Sequence, residues 1–256
     1  MKQIRHRHLI HFQLIQLSLI HTFYILINIL DDETINQIAA GEVVDRPSSI
    51  VKELMENSID AGATSVTVDI KDGGLSMIRV TDNGRGILKD DVRLAFLRHA
   101  TSKIKSADDL MAISSLGFRG EALASIISIA KVTCITRTKD FEYGTRVESE
   151  NSVIKSSQIG CAQGTIMEVN DLFFNQPARL KFLKSEKTEF SYIQELVQSF
   201  AIANPSIAFI LKSGNSIVIN TTQNTDLLTR ISQIYSPGII NEIKDVNNNR
   251  NLIIKK

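Results

Sequence analysis

Cysteine is scarce in this 256-residue chain, which contains only Cys134 and Cys161 and has neither a CxxC pair nor a cysteine–histidine cluster. This scarcity excludes a disulfide scaffold and a thiolate zinc site, and it fits a reducing compartment. The pattern GxxxxGK[ST] does not occur, and no GxGxxG follows a first predicted strand. A P-loop is therefore excluded, and the dinucleotide-binding fingerprint is missing.

Neither sign of charge is in excess, because 29 Lys and Arg residues face 28 Asp and Glu residues, for a net charge of +1. That balance argues against a strongly basic clamp for nucleic acid. Apolar residues make up 43% of the chain and charged residues 22%, which is typical of a protein with a folded core. The length predicts one large domain, or one and a half.

Residues 1–29 are an atypical, apolar N-terminal extension. Lys2, Arg5 and Arg7 precede a stretch from His8 to Leu30 that contains no Asp, Glu, Lys or Arg. Three interpretations stay open: a signal peptide or membrane anchor, an amphipathic or partner-docking arm, and non-native residues added by an upstream start codon. Polar residues interrupt the apolar stretch and no small-residue cleavage site follows it, so we expect no membrane association.

Helical and strand periodicities alternate in the rest of the chain. Helices are predicted from Pro47 to about Gly62 and over 90–99, 121–130, 190–200 and 227–235. Strands are predicted over 66–70, 75–80, 132–138, 144–149, 164–170, 207–212 and 216–220. Residues 100–120 and 247–251 are predicted to be irregular. This mixture of hairpins and helices predicts an α+β fold, with a sheet that has helices on one face.

An acid and an amide share one face of the first predicted helix. Glu53 and Asn57 are four residues apart, which places them on the same side. A carboxylate can orient or deprotonate a water, and an amide oxygen is a hard ligand suited to Mg²⁺. The same pair is also found on ordinary solvated helices, so this pattern alone does not establish a site.

Three further patterns follow along the chain. The loop Asp82-Asn83-Gly84-Arg85-Gly86 combines a carboxylate that can accept a hydrogen bond from an exocyclic amine with glycines that permit close backbone approach or positive φ. The glycine-rich stretch 99–123 can present backbone N–H groups to phosphates and is long enough to act as a lid. Gly164-Thr165 opens a strand. Taken singly, a turn, a mobile loop and a strand start would explain them.

Taken in order, these elements resemble the GHKL ATPase superfamily, which includes gyrase-type topoisomerases, heat-shock chaperones, histidine kinases and MutL-type mismatch-repair proteins. Five blocks resemble MutL in particular: NQIAAGEVV at 36–44, KELMENSIDAGA at 52–63, RHATSK at 98–103, SLGFRGEALAS at 115–125 and DLFFNQPARLKFLKSEKTEF at 171–190.

The resemblance spans about Leu30 to at least Ser216. It implies the GHKL (Bergerat) fold, a two-layer sandwich of a mixed, largely antiparallel sheet with helices on one face. It also implies an ATPase domain at 30–222 and the start of a truncated, transducer-like second domain at 223–256.

The resemblance also implies roles in binding Mg-ATP. Glu53 matches the general base that activates the attacking water, and Asn57 matches the Mg²⁺ ligand. Asp82 matches the carboxylate that reads adenine, with Gly84, Gly86 and Thr165 around the base. The lid that binds phosphate matches Thr101, Ser102, Lys103, Gly117, Phe118, Arg119, Gly120, Glu121, Ala122 and Leu123. Catalysis is then mainly positioning and charge neutralisation.

A MutL-type protein is expected to bind Mg-ATP, hydrolyse it slowly and use the cycle for dimerisation and for coupling mismatch recognition to repair. The implied partners are a MutS-type mismatch recognition protein, DNA, a second copy of the chain on ATP binding, and a downstream nuclease, helicase or clamp. The expected location is cytoplasmic and nucleoid-associated, or nuclear in a eukaryote.

Two alternatives stay open. The family's second domain supplies a lysine that reaches the γ-phosphate, and that lysine is expected beyond this chain. The protein could therefore be a nucleotide-binding module or fragment with little turnover. The other alternative is a GHKL ATPase of the topoisomerase or chaperone type.

A basic run around Phe182 is the candidate DNA contact, through Arg179, Lys181 and Lys184. For the bare run alone, a solvated helix face is the favoured interpretation. Since the family binds DNA non-specifically through its ATPase region, the resemblance implies contacts to phosphates that weaken with salt. Residues 31–256 contain 26 basic and 28 acidic side chains, for a net charge of −2, which predicts modest affinity.

Overall fold

The computed structural model describes residues 28–31, 34–35, 40–41, 43–97, 100, 122–150, 153–235, 243–246 and 251–254. The chain divides into two compact units, residues 1–35 and 36–256. In the first unit the Asp31 carboxylate accepts a hydrogen bond from the Thr34 N–H over 2.7 Å, and this bond lowers the pKa of Asp31. The interpretations of residues 1–27 lie outside the described residues. The domain boundaries at 29/30 and 222/223 stay predictions.

Among the described residues of the second unit, eight strands form one sheet. They are β1 Ser65–Lys71, β2 Met77–Asp82, β3 Lys131–Arg137, β4 Gly144–Glu150, β5 Val153–Ile159, β6 Gly164–Asn170, β7 Ala208–Ser213 and β8 Ser216–Asn220. Their order is β5-β4-β3-β6-β2-β1-β7-β8. Strands β1 and β7 run parallel and the other neighbours run antiparallel, which confirms the mixed, largely antiparallel sheet.

One face of this sheet is apolar and buried. Val68 pairs with Val80, Val80 pairs with Met167, and Met167 pairs with Cys134, so one apolar band crosses four strands. The alternate residues form a half-exposed polar face, where Arg79 Nε donates to Glu168 Oε2 over 2.7 Å. The alternation therefore puts the core on one side of the sheet.

Helices cover the apolar face, as the sequence predicts. They are α1 Pro47–Asp60, α2 Lys89–Val92, α3 Ala122–Ile127, α4 Pro177–Leu180, α5 Glu186–Ala203 and α6 Leu227–Tyr235. Proline opens α1, where its missing N–H costs nothing, and Ser185 caps α5 by accepting from the Thr188 N–H. The buried stripes of α1 and α5 join the same hydrophobic core as the strands. The α+β, two-layer prediction is confirmed.

Some elements differ from their predictions. The helix predicted over 90–99 is wrong over 94–97, because a 3₁₀ turn at Leu94–Phe96 follows Val92 and Leu97 is extended, with ψ 149°. The last two residues of that prediction lie outside the described residues. The helix predicted over 121–130 ends at Ile127. Strand β5 and helix α4 were not predicted. A hairpin of β9 Ile243–Val246 and β10 Asn251–Ile254 flanks the predicted turn near 247–251.

Each helix in the part of the chain that the structure describes falls short of the length and apolar content that crossing a bilayer requires.

Candidate functional site

The Asp82 carboxylate at the end of β2 is held by three separate parts of the fold. Its Oδ1 accepts from the Gly84 N–H over 2.8 Å and from the Thr165 N–H over 3.3 Å. Its Oδ2 accepts from the Ser58 hydroxyl over 3.0 Å, and that hydroxyl shares its proton with the Leu54 carbonyl at the same distance. Burial raises the pKa of Asp82 above its usual value, while the hydrogen bonds from Gly84, Ser58 and Thr165 oppose the shift. The result is a mostly buried carboxylate with a fixed orientation.

The loop after Asp82 is anchored against the C-terminal end of α1. Asn83 Oδ1 accepts from the N–H groups of Thr64 and Ser65 over 2.8 and 2.9 Å. The Arg85 N–H donates to the Ala61 carbonyl over 3.0 Å. These bonds satisfy backbone groups at and just after the end of α1, and they fix the loop against the helix.

Glycine is required at two positions around Asp82. Gly86 has φ +74°, and a Cβ built there would overlap the Arg137 carbonyl. Gly164 has φ +117°, and a Cβ there would overlap the Asp82 carbonyl oxygen. A side chain at either position would strain the backbone and separate the strands that carry the carboxylate. The positive φ predicted for the loop is therefore confirmed at Gly86.

A threonine pair links β3 and β6 beside this carboxylate. Thr136 Oγ1 lies 3.1 Å from Thr165 Oγ1, donates to the Gly164 carbonyl over 3.0 Å and accepts from the Ile87 N–H over 2.9 Å. The sequence motifs identified Thr165 but missed Thr136 and Ser58. A signal for Thr136 was present, because it is a polar residue at a core-facing position of an alternating strand.

Glu53 and Asn57 form a half-buried stripe on α1, one turn apart. Ser58, the next residue after Asn57, makes the contact with Asp82, so this turn of α1 lies against the carboxylate. Ala122 and Leu123 open α3, and both are half-buried. The remaining predicted lid residues lie outside the described residues: Thr101, Ser102, Lys103, Gly117, Phe118, Arg119, Gly120 and Glu121.

A cavity of about 610 Å³ lies beside the threonine pair. Its lining includes Thr136, Ile87, Lys89, Arg93 and Tyr143. Neither Glu53 nor Asn57 lines it. The cavity therefore adjoins Thr136 and is not lined by the stripe on α1.

Arg179, one of the three predicted DNA contacts, makes contacts within the chain. Its Nη1 donates to the Val44 carbonyl over 2.9 Å, and its guanidinium lies 5.8 Å from the centroid of the Phe173 ring. A Cβ on Gly41 would overlap the same guanidinium. Lys181 and Lys184 are exposed. A DNA role for these three residues stays a prediction, with the two lysines free to reach outward.

The fold and the site together define a class. The family described as "Histidine kinase-, DNA gyrase B-, and HSP90-like ATPase" matches residues 46–169, which include α1, Asp82 and Thr165. A solved structure of the Aquifex aeolicus MutL ATPase domain complexed with ADP superposes with a TM-score of 0.62. It is 34% identical and covers 75% of this chain and 70% of that one. A structure described as the N-terminal domain of a DNA repair protein has a TM-score of 0.71 and 30% identity, and covers 83% and 63%. The chain thus has the GHKL ATPase fold.

Sequence relatives narrow the class further. The DNA mismatch repair protein MutL of Agathobacter rectalis is 50% identical over 221 residues, which are 86% of this chain and 34% of the relative. MutL of Thermodesulfovibrio yellowstonii is 50% identical over 218 residues, or 85% and 40%. This chain belongs to the MutL family and contains its ATPase domain. It spans about a third of the length of the MutL relatives it matches.

Proposed function

We propose that this chain binds ATP with Mg²⁺ and hydrolyses it slowly, as the ATPase region of a DNA mismatch repair protein. The observation that carries the proposal is the mostly buried Asp82 carboxylate, oriented by Ser58, Gly84 and Thr165 in a member of the MutL family. The related A. aeolicus domain is complexed with ADP, which supports the same ligand class here.

Asp82 is suited to reading an adenine amino group. A carboxylate offers about four lone-pair positions, and three donors reach this one. Among the described residues, the one donor to Oδ2 is Ser58, whose proton is shared, so Oδ2 keeps the capacity for one more donor. The exocyclic amine of adenine is such a donor, whereas the carbonyl of guanine at the same ring position is not. The hydroxyl groups of Thr165 and Thr136 lie next to each other, and this pair links β6 and β3 beside the carboxylate.

The stripe on α1 is suited to the phosphate end. Asn57 offers an amide oxygen of the kind that Mg²⁺ prefers, and Glu53 offers a carboxylate one helical turn away. The ion supplies charge neutralisation on the phosphates when it is bound. Glu53 orients a water and accepts its proton as the water oxygen bonds to the γ-phosphorus and the bond to the leaving ADP oxygen breaks.

In the wider proposal, the nucleotide cycle drives pairing with a second copy of the chain. It also couples a MutS-type mismatch recognition protein to a downstream nuclease, helicase or clamp. DNA would be held through phosphates by Lys181 and Lys184, in the cytoplasm and near the nucleoid. Family membership supports these steps.

Calorimetry with a non-hydrolysable ATP analogue, with and without Mg²⁺, tests the nucleotide site. We expect binding that requires Mg²⁺, that is weakened in Asn57→Ala, and that is unchanged in the exposed control Asn220→Ala. Glu53→Gln should retain binding and lower hydrolysis about 10²- to 10⁴-fold, the usual contribution of a general base.

Two results would overturn parts of this proposal. A folded chain that binds no analogue would contradict the nucleotide site altogether. Binding with hydrolysis no faster than that of Glu53→Gln would instead indicate a nucleotide-binding module without turnover.

A further inference from the structure

Phe182 is held out into solvent. Its side chain is 84% exposed, although full burial of a Phe side chain is worth about 1.5–3 kcal/mol. The ring is not on a loose end, because the Phe182 N–H donates to the Arg179 carbonyl over 3.0 Å. Arg179 in turn is tied to the Val44 carbonyl. The fold therefore presents this aromatic ring on an anchored turn directly after α4.

The surroundings of the ring are positively charged. Residues 181–187 contain three exposed lysines and one exposed acid, so the segment carries a net charge of +2. The lysines are Lys181, Lys184 and Lys187, and the acid is Glu186. An exposed aromatic among lysines is complementary to a polyanion that also offers flat apolar faces. Two copies of the segment facing each other would instead bring like charges together.

We propose that Phe182 stacks on a base of an unpaired DNA strand whose phosphates contact Lys181 and Lys184. This inference rests on the DNA binding in the proposed function and adds which form of DNA the site prefers. Bases in a duplex are already stacked on their neighbours, so a protruding ring gains a stacking partner only where a strand is unpaired. The lysines contact both forms through phosphates, and the ring discriminates between them.

The test measures the affinity of the full chain for oligothymidine and for a duplex of equal length by fluorescence anisotropy at several salt concentrations. We expect Phe182→Ala to weaken oligothymidine binding about 5- to 140-fold, since stacking is worth ~1–3 kcal/mol per base and 1.4 kcal/mol is tenfold. Duplex affinity and the salt slope should stay unchanged. Phe182→Tyr should retain wild-type affinity, and Phe141→Ala, at a ring that is 50% exposed elsewhere, should have no effect.

Lysine variants separate the phosphate contacts from base stacking. Lys181→Ala with Lys184→Ala should weaken both DNA forms and flatten the salt dependence by about two phosphate contacts. If the wild-type chain binds neither oligonucleotide, the DNA part of the proposed function fails. If it binds both and Phe182→Ala affects neither or both equally, the stacking inference is refuted. A Phe182→Ala defect confined to nucleotide-driven dimerisation would assign the ring to a second copy instead.

Discussion

Replacing Gly164 with alanine tests whether the close approach of β6 to β2 builds the site. Gly164 has φ +117°, and a Cβ there would overlap the Asp82 carbonyl oxygen and lie 2.9 Å from Asn83 Cα. Gly214, in the turn between β7 and β8, has φ +56° with no atom within 4 Å of its Cβ position. Gly214→Ala is therefore a matched control that changes backbone preference without overlap.

The two substitutions should lower the free energy of unfolding by clearly different amounts. A left-handed conformation costs a non-glycine residue about 1–2 kcal/mol, so Gly214→Ala should lower the free energy of unfolding by about 1 kcal/mol. Gly164, with φ +117°, lies outside the left-handed region, so alanine there carries at least that backbone cost, together with an overlap with main-chain atoms that cannot rotate away. Overpacking of that kind adds about 1–3 kcal/mol, giving about 2–5 kcal/mol in total. Relief of the overlap moves Thr165 away from Asp82 and lengthens an N–H···O bond that is already 3.3 Å.

Urea denaturation measures the stabilities, and calorimetry with an ATP analogue measures the site. The midpoint should fall further for Gly164→Ala than for Gly214→Ala with an unchanged slope, and only Gly164→Ala should weaken nucleotide binding. A Gly164→Ala protein as stable as the control, with wild-type affinity, would refute the argument that this contact positions Asp82.

Two further predictions concern buried polar groups. Asp82→Asn should weaken binding of the ATP analogue about 10- to 100-fold, because it places an amide donor where the carboxylate accepts. The Asn carbonyl can still accept from the Gly84 N–H, so the fold should be retained. Because the folded pKa of Asp82 lies above the unfolded value of about 3.9, its contribution to stability is present at low pH and is lost as pH rises through the folded pKa. The stability of the wild type relative to Asp82→Asn should therefore fall with rising pH in urea titrations, and a constant difference would contradict the raised pKa. Arg230 is fully buried and donates to the carbonyls of Ala201, Ile207 and Thr222, among others. Because Arg230→Met leaves these carbonyls without a donor, it should lower the free energy of unfolding by about 3–5 kcal/mol. Gln233→Met on the same helix should lower the free energy of unfolding by less than about 1 kcal/mol. Equal losses for the two variants would show that the carbonyls do not need the guanidinium as their donor.

Periodicity predicted the elements whose burial is one-sided. Helix α1 and strand β1 each bury regular positions, so their sequences carry the period of their structure. Strand β5 escaped prediction because residues 155–158 are all exposed, which leaves no apolar alternation. The helix predicted over 90–99 ends early, because Leu97 has an extended backbone although the residues before it favour a helix. The backbone conformation at Leu97 therefore depends on tertiary packing rather than on local helix preference.

The candidate site was predicted where its residues fall in motifs, and it was missed where they meet through the sheet. Glu53, Asn57 and Asp82 stand in recognisable blocks, and the structure holds the mostly buried Asp82 carboxylate in one orientation. Their roles stay predictions. Thr136 reaches Thr165 only because β3 and β6 are neighbours, a pairing of strands that are distant in sequence. The DNA role of Arg179 stays a prediction from its basic neighbours in sequence. Its bond to the Val44 carbonyl joins residues that are 135 positions apart, so no local pattern could predict it.

The parallel pairing of β1 with β7 has a consequence for how the domain can be divided. Residues 46–169 carry the recognisable motifs, yet β7, β8 and α5 come later in the chain. A fragment that ended near 169 would leave β1 as an uncovered edge strand, with the backbone groups that pair with 208–213 unsatisfied. It would also strip away the buried side chains of Ile193 and Val197 from the apolar band. An open apolar edge of this kind templates intermolecular strand pairing, so the smallest piece that carries the motifs would aggregate rather than fold.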